Sequence, residues 1–434
     1  MAPMNSSEAA VSAERGSWGS RYRAFMPFGR KIEVKKSKYE IDMCSGSIMD
    51  KLISFSLPLM LSGILQLMFN AVDIIVVGRF SGSEALAAVG STTALISMFT
   101  NLFIGVSLGT SVLTARFYAA GRDQEVSETV HTSIMLALLS GILMVFVGLF
   151  FSRGALELMD TPDDVIDLST LYMKIYFVGM PFFMLYNYGA AVLRAVGDTK
   201  RPLFFLIISG VLNAGLNLFL VVVFHMGVAG VGIATVISQM VSCVLVLICL
   251  YRAESSYQLR LSKLTMKGVY LKQIFQVGVP AGIQSTVINF SNVLLQSSVN
   301  SFGSIAMAGY TAANNLLGFL YASVNSITQA CMSFTSQNYG VGKWKRMDRV
   351  LIDCMILTTG VALVIGGAFY GFGPEILKIY TDNEEVVRSG MEILSFTTLT
   401  YFLCGLMDLF PGALRGMGHS AVPMILSVLG TVGT

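Results

Sequence analysis

Charged residues are scarce in this chain. Only 13% of its 434 residues are Asp, Glu, Lys or Arg, whereas 54% are apolar, and the mean hydropathy is +0.68. Soluble globular domains carry about 25% charged residues, so this composition excludes a water-soluble protein. The net charge is only +3, and we expect no nucleic-acid partner.

Residues that hold metals or catalyse reactions are also few. The six cysteines include no CxxC pair, which argues against a disulfide framework or a zinc site. His131, His225 and His419 lie near the ends of separate apolar runs and suggest no metal triad. Residues 105–109 match the GxSxG nucleophile pattern but lie within an apolar helical run, where they also fit GxxxG helix packing. We therefore expect neither an enzyme nor a resident cofactor.

Long apolar runs, by contrast, recur along the whole chain. A helix of about 20 apolar residues crosses the ~30 Å hydrocarbon core of a bilayer. The sequence thus predicts an all-α integral membrane protein. We predict spans at residues 52–78, 86–114, 130–151, 168–193, 203–224, 228–250, 272–300, 305–335, 351–371, 390–412 and, incomplete, 421–434.

The second half of the sequence repeats the first. Residues 191–202 read AVLRAVGDTKRP, residues 412–423 read GALRGMGHSAVP, and the same offset pairs Tyr118 with Tyr339. We predict two parallel six-helix repeats (6+6), since an even number of spans returns the chain to its starting side. The second repeat ends within its fifth span, so we expect a chain truncated in span 11. Duplicated halves are typical of transporters, whose site lies between them.

These patterns predict four regions. Residues 1–45 are expected to be a disordered basic cytoplasmic tail, since they lack the apolar core of a signal peptide. Residues 46–251 form the N-terminal six-helix lobe, 252–271 a cytoplasmic linker, and 272–434 the incomplete C-terminal lobe. Lys and Arg are concentrated in the tail and in the loops on its side, which predicts a cytoplasmic N-terminus.

Asp73 is the acid that the composition explains least. It lies within the apolar run LQLMFNAVDIIVVG, and an acid in a spanning helix marks a functional site by default. Gln66, Asn70 and Asp73 are spaced at i, i+4 and i+7, so they share one helical face. Removal from water favours a protonated carboxyl group, so we expect Asp73 to bind and release a proton near neutral pH. The alternative is a carboxylate that only ties helices together.

Amide side chains could complete a cation-coupling cluster with Asp73. Asn213 and Asn217 are spaced at i, i+4 on span five, and Asn187 lies on span four. An amide donates and accepts, so it can position a carboxyl group in either protonation state. Interhelical hydrogen bonding alone remains the alternative for each of them.

The second half repeats the architecture with different chemistry. Leu295 occupies the place that corresponds to Asp73, and Asp408 is the acid that we find well inside a span. We predict that the substrate cavity is lined by polar residues from both halves: Gln66, Asn70, Gln284, Asn292, Gln296 and Asp408.

Four residues are candidates for gating or structural roles. Pro58 and Pro280 lie within spans, where the missing backbone donor can kink a helix. Arg194 and Arg415 lie at cytoplasmic helix ends, where the helix dipole favours a cation. We expect the arginines to be structural or to close an inner gate.

From about Gly46 onward, the chain resembles the multidrug and toxic compound extrusion (MATE) transporters, in their DinF-like bacterial group. The resemblance is carried by residues 55–90 (FSLPLMLSGILQLMFNAVDIIVVGRFSGSEALAAVG) and by the two repeated loops quoted above. It implies twelve helices in two lobes around a central cavity. It also implies efflux of small organic cations, including antibiotics and other xenobiotics, across the bacterial inner membrane by antiport against H⁺ or Na⁺. Asp73 matches the family's cation-coupling acid and Asn213 an Asn of its cation site. Asn217 stands where many relatives carry Asp, which leaves the coupling ion open.

Three other functions fit less well. A lipid-linked oligosaccharide flippase of the same superfamily is the main alternative, but it needs cations to hold pyrophosphate, and Lys174 is the basic residue nearest to a span interior. A major-facilitator transporter needs a basic loop where FYAAGRDQEV stands. A membrane enzyme or receptor lacks a catalytic constellation or a sensor domain. We expect a monomer whose partners are small organic cations and the bilayer.

Overall fold

The apolar runs fold into long α-helices, joined by short turns. The computed structural model describes residues 38–159, 161–300, 302–378 and 383–433, and we find helices but no strand within them. The helices are α1 (Ile48–Phe80), α2 (Gly82–Ala119), α3 (Asp123–Glu157), α4 (Asp163–Val178), α5 (Met180–Ala195), α6 (Lys200–Leu218), α7 (Gly227–Tyr251), α8 (Gly268–Asn300), α9 (Ser304–Gly340), α10 (Trp344–Gly371), α11 (Gly373–Leu377), α12 (Glu384–Gly416) and α13 (Ala421–Gly433).

Most of these helices satisfy the requirements of a membrane span. Among the described residues, seven helices are long and apolar enough to cross a bilayer: α1, α2, α3, α6, α7, α10 and α12. Helices α4 and α5 together form an eighth. Helices α8 and α9 are equally long but carry more polar residues. The predicted fold class, an all-α integral membrane protein, is confirmed.

The predicted span 168–193 is broken in the structure. Helices α4 and α5 meet at Gly179 with a bend of 47°. Pro181, in the first turn of α5, has no backbone N–H to continue the ladder of α4, so the chain turns there.

The internal repeat is visible in the helix boundaries. Helices α3, α4 and α6 begin 221 positions before α10, α12 and α13. Glycines with positive φ end the corresponding turns in both halves: Gly82 and Gly303, Gly121 and Gly342, and Gly197 and Gly418. Each pair needs a backbone conformation that other residues rarely adopt, which explains why glycine recurs at this offset.

The first helix of each half packs partly against the other half. Leu52 and Phe55 of α1 lie in a buried cluster with residues of α9, α10 and α12, including Phe334 and Leu409. Conversely, Ile274 of α8 belongs to the large core of the first half. The two halves are therefore interlocked at the end where α1 and α8 begin.

The GxSxG-like segment is a packing motif. Gly105 and Gly109 of α2 face Gly278 and Gly282 of α8, and a methyl group on Gly282 would lie 2.6 Å from the carbonyl oxygen of Leu102. Such a close approach of two helices requires small residues. The preference for GxxxG packing over a catalytic serine is therefore supported by geometry.

Part of the predicted tail is ordered. Residues 1–37 lie outside the described residues, but residues 38–45 pack against the helix ends, with the Met43 side chain fully buried. We expected disorder up to residue 45. The structured chain instead begins by residue 38, because Met43 joins the cluster around Phe55 and Phe334.

Candidate functional site

The predicted cluster around Asp73 forms where α1, α6 and α7 meet. The amide nitrogen of Asn217 donates to the Asp73 carboxylate and also to Asn213 Oδ1 at 3.2 Å. Asn213 Nδ2 in turn donates to the Thr235 hydroxyl of α7 at 3.4 Å. Thr235 lies within hydrogen-bonding range of Asp73 as well. Three of the four predicted coupling residues thus share one network.

A glycine brings the two helices of the network together. A Cβ atom on Gly210 of α6 would overlap the ring of Phe69 on α1. Asp73 lies one helical turn beyond Phe69, and Asn213 and Asn217 follow Gly210 on α6 at the next two turns, so the close approach aligns their side chains. A π-helical turn, Phe219–Val223, begins two residues after Asn217. Such turns occur often at functional sites.

The network is buried but incompletely bonded. Asn217 is fully buried and Asn213 nearly so, whereas Asp73 is partly exposed. Within the described residues, the buried Asn217 Oδ1 has no hydrogen-bond partner. A carboxylate, two amide oxygens and a hydroxyl are oxygen ligands, and the carboxylate can also take a proton. The cluster can therefore hold either H⁺ or a small hard cation.

Three neighbours of Asp73 were missed by the sequence reasoning. Thr235 joins the network from α7, and Tyr172 and Tyr176 of α4 lie near enough to feel the charge of Asp73. Thr and Tyr are common in spanning helices, and nothing in their spacing marks these three. Only the packing of α4 and α7 against α1 identifies them.

Asn187 does not join the network. Its amide nitrogen donates to the Phe183 carbonyl of its own helix at 2.9 Å. We predicted that it would complete the cluster, and the structure gives it a different partner. An Asn that bonds the carbonyl four residues earlier meets its hydrogen-bonding needs locally.

The predicted cavity residues do not all face an opening. Gln66 and Asn70 are exposed on the Asp73 face of α1, and Asn292 is exposed on α8. The side chain of Gln296 lies outside the described residues.

Gln284 differs most from its predicted role. It is buried, accepts from Arg415 Nη2 at 2.5 Å and donates to the Ser427 hydroxyl at 2.7 Å. It therefore ties α8 to α12 and α13 instead of lining a cavity. This bond also gives Arg415, in the last turn of α12, a structural partner.

Asp408 lies on α12, about two turns before Arg415. It is partly exposed and lies close enough to Arg415 and to Tyr321 of α9 to interact electrostatically. A carboxylate near a guanidinium and a tyrosine forms a second polar centre, separate from the Asp73 network.

The predicted gating residues lie as follows. Pro58 and Pro280 are inside the continuous helices α1 and α8, and Ser62 donates to the Pro58 carbonyl at 2.8 Å. Arg194 is in the last turn of α5. Their hinge and gate roles remain predictions.

In the part of the chain that the structure describes, three or more His, Cys, Asp or Glu residues do not gather into a metal site.

Comparisons with known proteins agree on one family. The family model MatE matches residues 58–219 and 280–433. The chain is 29% identical over 414 residues to the probable multidrug resistance protein YoeA of Bacillus subtilis, covering 93% of this chain and 87% of that protein. It is 24% identical over 383 residues to the multidrug export protein MepA of Staphylococcus aureus (strain NCTC 8325 / PS 47), covering 87% and 84%.

Solved structures share the same fold. The crystal structure of MATE in complex with MaL6 superposes with a TM-score of 0.86 at 20% identity, covering 92% of this chain and 89% of that chain. The outward-facing conformation of a multidrug resistance MATE family transporter of the MOP superfamily gives the same TM-score, identity and coverage.

Proposed function

Because the chain belongs to the MatE family, we propose that it is a secondary active multidrug efflux transporter. In this proposal it acts as a monomer in the bacterial plasma membrane and exchanges small organic cations for H⁺ or Na⁺ by alternating access. The observation that carries the proposal is the Asp73 network: an acid in a spanning helix, bonded by Asn217 and next to Asn213 and Thr235.

Ion and substrate are coupled through the charge of Asp73. The ionised carboxylate attracts an organic cation to the adjacent face of α1, where Gln66 and Asn70 are exposed. A proton or Na⁺ bound at Asp73 cancels that attraction and releases the substrate. Each ligand can shift the conformational equilibrium only by its differential affinity for the two states. The membrane potential adds about 2.3 kcal/mol per charge per 100 mV.

The network accommodates both candidate ions. Protonation needs only Asp73, since the Asn217 amide can reorient toward a neutral carboxyl group. Na⁺ would in addition use the buried Asn217 Oδ1, which lacks a hydrogen-bond partner among the described residues. We favour H⁺, because Asp73 is the acid in this network.

The test is ethidium efflux from proteoliposomes with an imposed pH or sodium gradient. We expect Asp73→Asn to lower gradient-driven efflux about 5- to 150-fold, the range given by a coupling free energy of about 1–3 kcal/mol. Asp167→Asn is the matched control, because Asp167 is an exposed acid that pairs with Arg153 far from the network. Full pH-driven and sodium-driven efflux in Asp73→Asn would refute the proposed role of Asp73.

A further inference from the structure

Residues 39–46 cross from one half of the molecule to the other at the end where α1 begins. We call this segment the strap. Helices α2, α5 and α9 end around it, and α10 begins there. This is the end that the sequence predicts to be cytoplasmic.

The first part of the strap is bound to the first half. Glu40 accepts hydrogen bonds from the hydroxyls of Tyr118 on α2 and Tyr257 in the linker, both at 2.7 Å. Burial and the Glu40 carboxylate raise the pKa of Tyr257, so its hydroxyl remains a donor. Ile41 lies directly over Gly197, where a Cβ atom would come within 2.6 Å of the Ile41 nitrogen.

The second part of the strap is bound to the second half. The carbonyl oxygens of residues 43–46 accept five hydrogen bonds, at 2.8–3.2 Å, from the side chains of Asn338, Lys343 and Arg346. The Met43 side chain is fully buried among residues of α1 and α9. This anchor combines apolar burial with charge-assisted hydrogen bonds, which are the stronger kind.

The two halves also touch directly at this end. Ser336 of α9 donates to the Val112 carbonyl of α2 at 2.6 Å, and Gln337 donates to the Ala195 carbonyl of α5 at 2.7 Å. Among the described residues, the hydrogen bonds between α1–α7 with the strap and α8–α13 involve residues 336–346. The structure is therefore closed at the strap end.

Little slack separates the two anchors. Only Asp42 lies between Ile41 and Met43, so their Cα atoms can be at most about 7 Å apart. If the halves separate at this end by more than a few ångströms, one anchor has to let go. Glu40 is only half-buried, whereas Met43 is fully buried. The Glu40 anchor is thus the one that releases.

We propose that the strap is a latch, in which Glu40 binds Tyr118 and Tyr257 while this end is closed and leaves them when it opens. The proposal rests on the proposed function, because alternating access is the motion that would part the halves here. Residues 43–46 stay with the second half throughout.

A distance measurement tests the latch without any transport assay. Spin labels on Asp50→Cys and Glu254→Cys, both exposed positions, report the separation of α1 from the linker in nanodiscs after the native cysteines are replaced. We expect Tyr118→Phe/Tyr257→Phe to increase a longer-distance population about tenfold or more, since each lost bond to the carboxylate contributes about tenfold. Tyr251→Phe, at an exposed tyrosine of α7, is the control and should leave the distances unchanged. Identical distances in the double variant and its parent overturn the latch.

Crosslinking then tests whether release is needed for transport. A short reducible crosslinker between Glu40→Cys and Tyr257→Cys should lower ethidium efflux about tenfold or more, with recovery on reduction. The control joins Cys44 to Lys343→Cys, within the second-half anchor, and should leave efflux unchanged. Unchanged efflux in the first crosslink overturns the proposal. If the uncrosslinked parent fails to transport, the proposed function is wrong, while the distance measurement still decides the latch.

Discussion

The contact between α2 and α8 gives a prediction whose size follows from distances. A methyl group on Gly282 would lie 2.6 Å from the Leu102 carbonyl oxygen and 3.0 Å from its Cα atom. A carbon normally approaches a carbonyl oxygen to about 3.3–3.6 Å. In Gly282→Ala the two helices therefore have to move apart by roughly 0.7–1 Å. Side-chain rotation cannot relieve the overlap, because both obstructing atoms belong to the backbone.

That displacement weakens the whole interface. A radial gap of about 0.5–1 Å already removes a quarter to a half of the dispersion energy of each contact. Overpacking of this kind typically destabilises by about 1–3 kcal/mol. We expect Gly282→Ala to lower the free energy of unfolding by that amount in mixed-micelle equilibrium unfolding.

Gly90→Ala is the matched control. Gly90 lies on α2, and a Cβ atom there would meet no atom within 4 Å. This variant should be neutral or more stable by up to about 1 kcal/mol, since Ala favours helix. The reasoning is refuted if Gly282→Ala unfolds at the same denaturant concentration as the parent.

Two further predictions concern buried contacts. Gln284→Leu removes the partners of Arg415 and Ser427, so we expect a loss of about 1–3 kcal/mol in the same unfolding assay. Ser285→Ala, whose hydroxyl bonds only its own helix, should change little. Gly197→Ala forces a residue with a Cβ atom to φ +98° against Ile41, so hydrogen exchange of residues 39–44 should accelerate. Gly121→Ala has a similar φ of +68° but open space around it, and should leave that exchange unaltered.

The spacing of polar residues predicted the core of the site. Asp73, Asn213 and Asn217 interrupt apolar helices at helical intervals, and polar groups in such helices must face protein or water. Periodicity specifies which face a residue occupies but not which helix faces it. Asn187 therefore fitted the pattern and yet bonds its own backbone, and Gln284 proved to be a link between helices.

Other features depend on packing that one sequence does not display. The bend at Gly179 could be anticipated from Pro181, although its size could not. Thr235 gave no signal, because a hydroxyl can bond within its own helix almost anywhere. The strap was predicted to be disordered, since residues 38–45 are mostly polar and their bonds come from positions far along the chain.

The interlocked packing of α1 also bears on how the protein is made. Domains form from the N-terminus during synthesis, so α1 is produced before its partners α9, α10 and α12. The apolar surface around Leu52 and Phe55 stays unmatched until Leu409 has been added to the chain. The two halves therefore cannot mature one after the other, and the ribosome must deliver most of the polypeptide before its first helix reaches its final place.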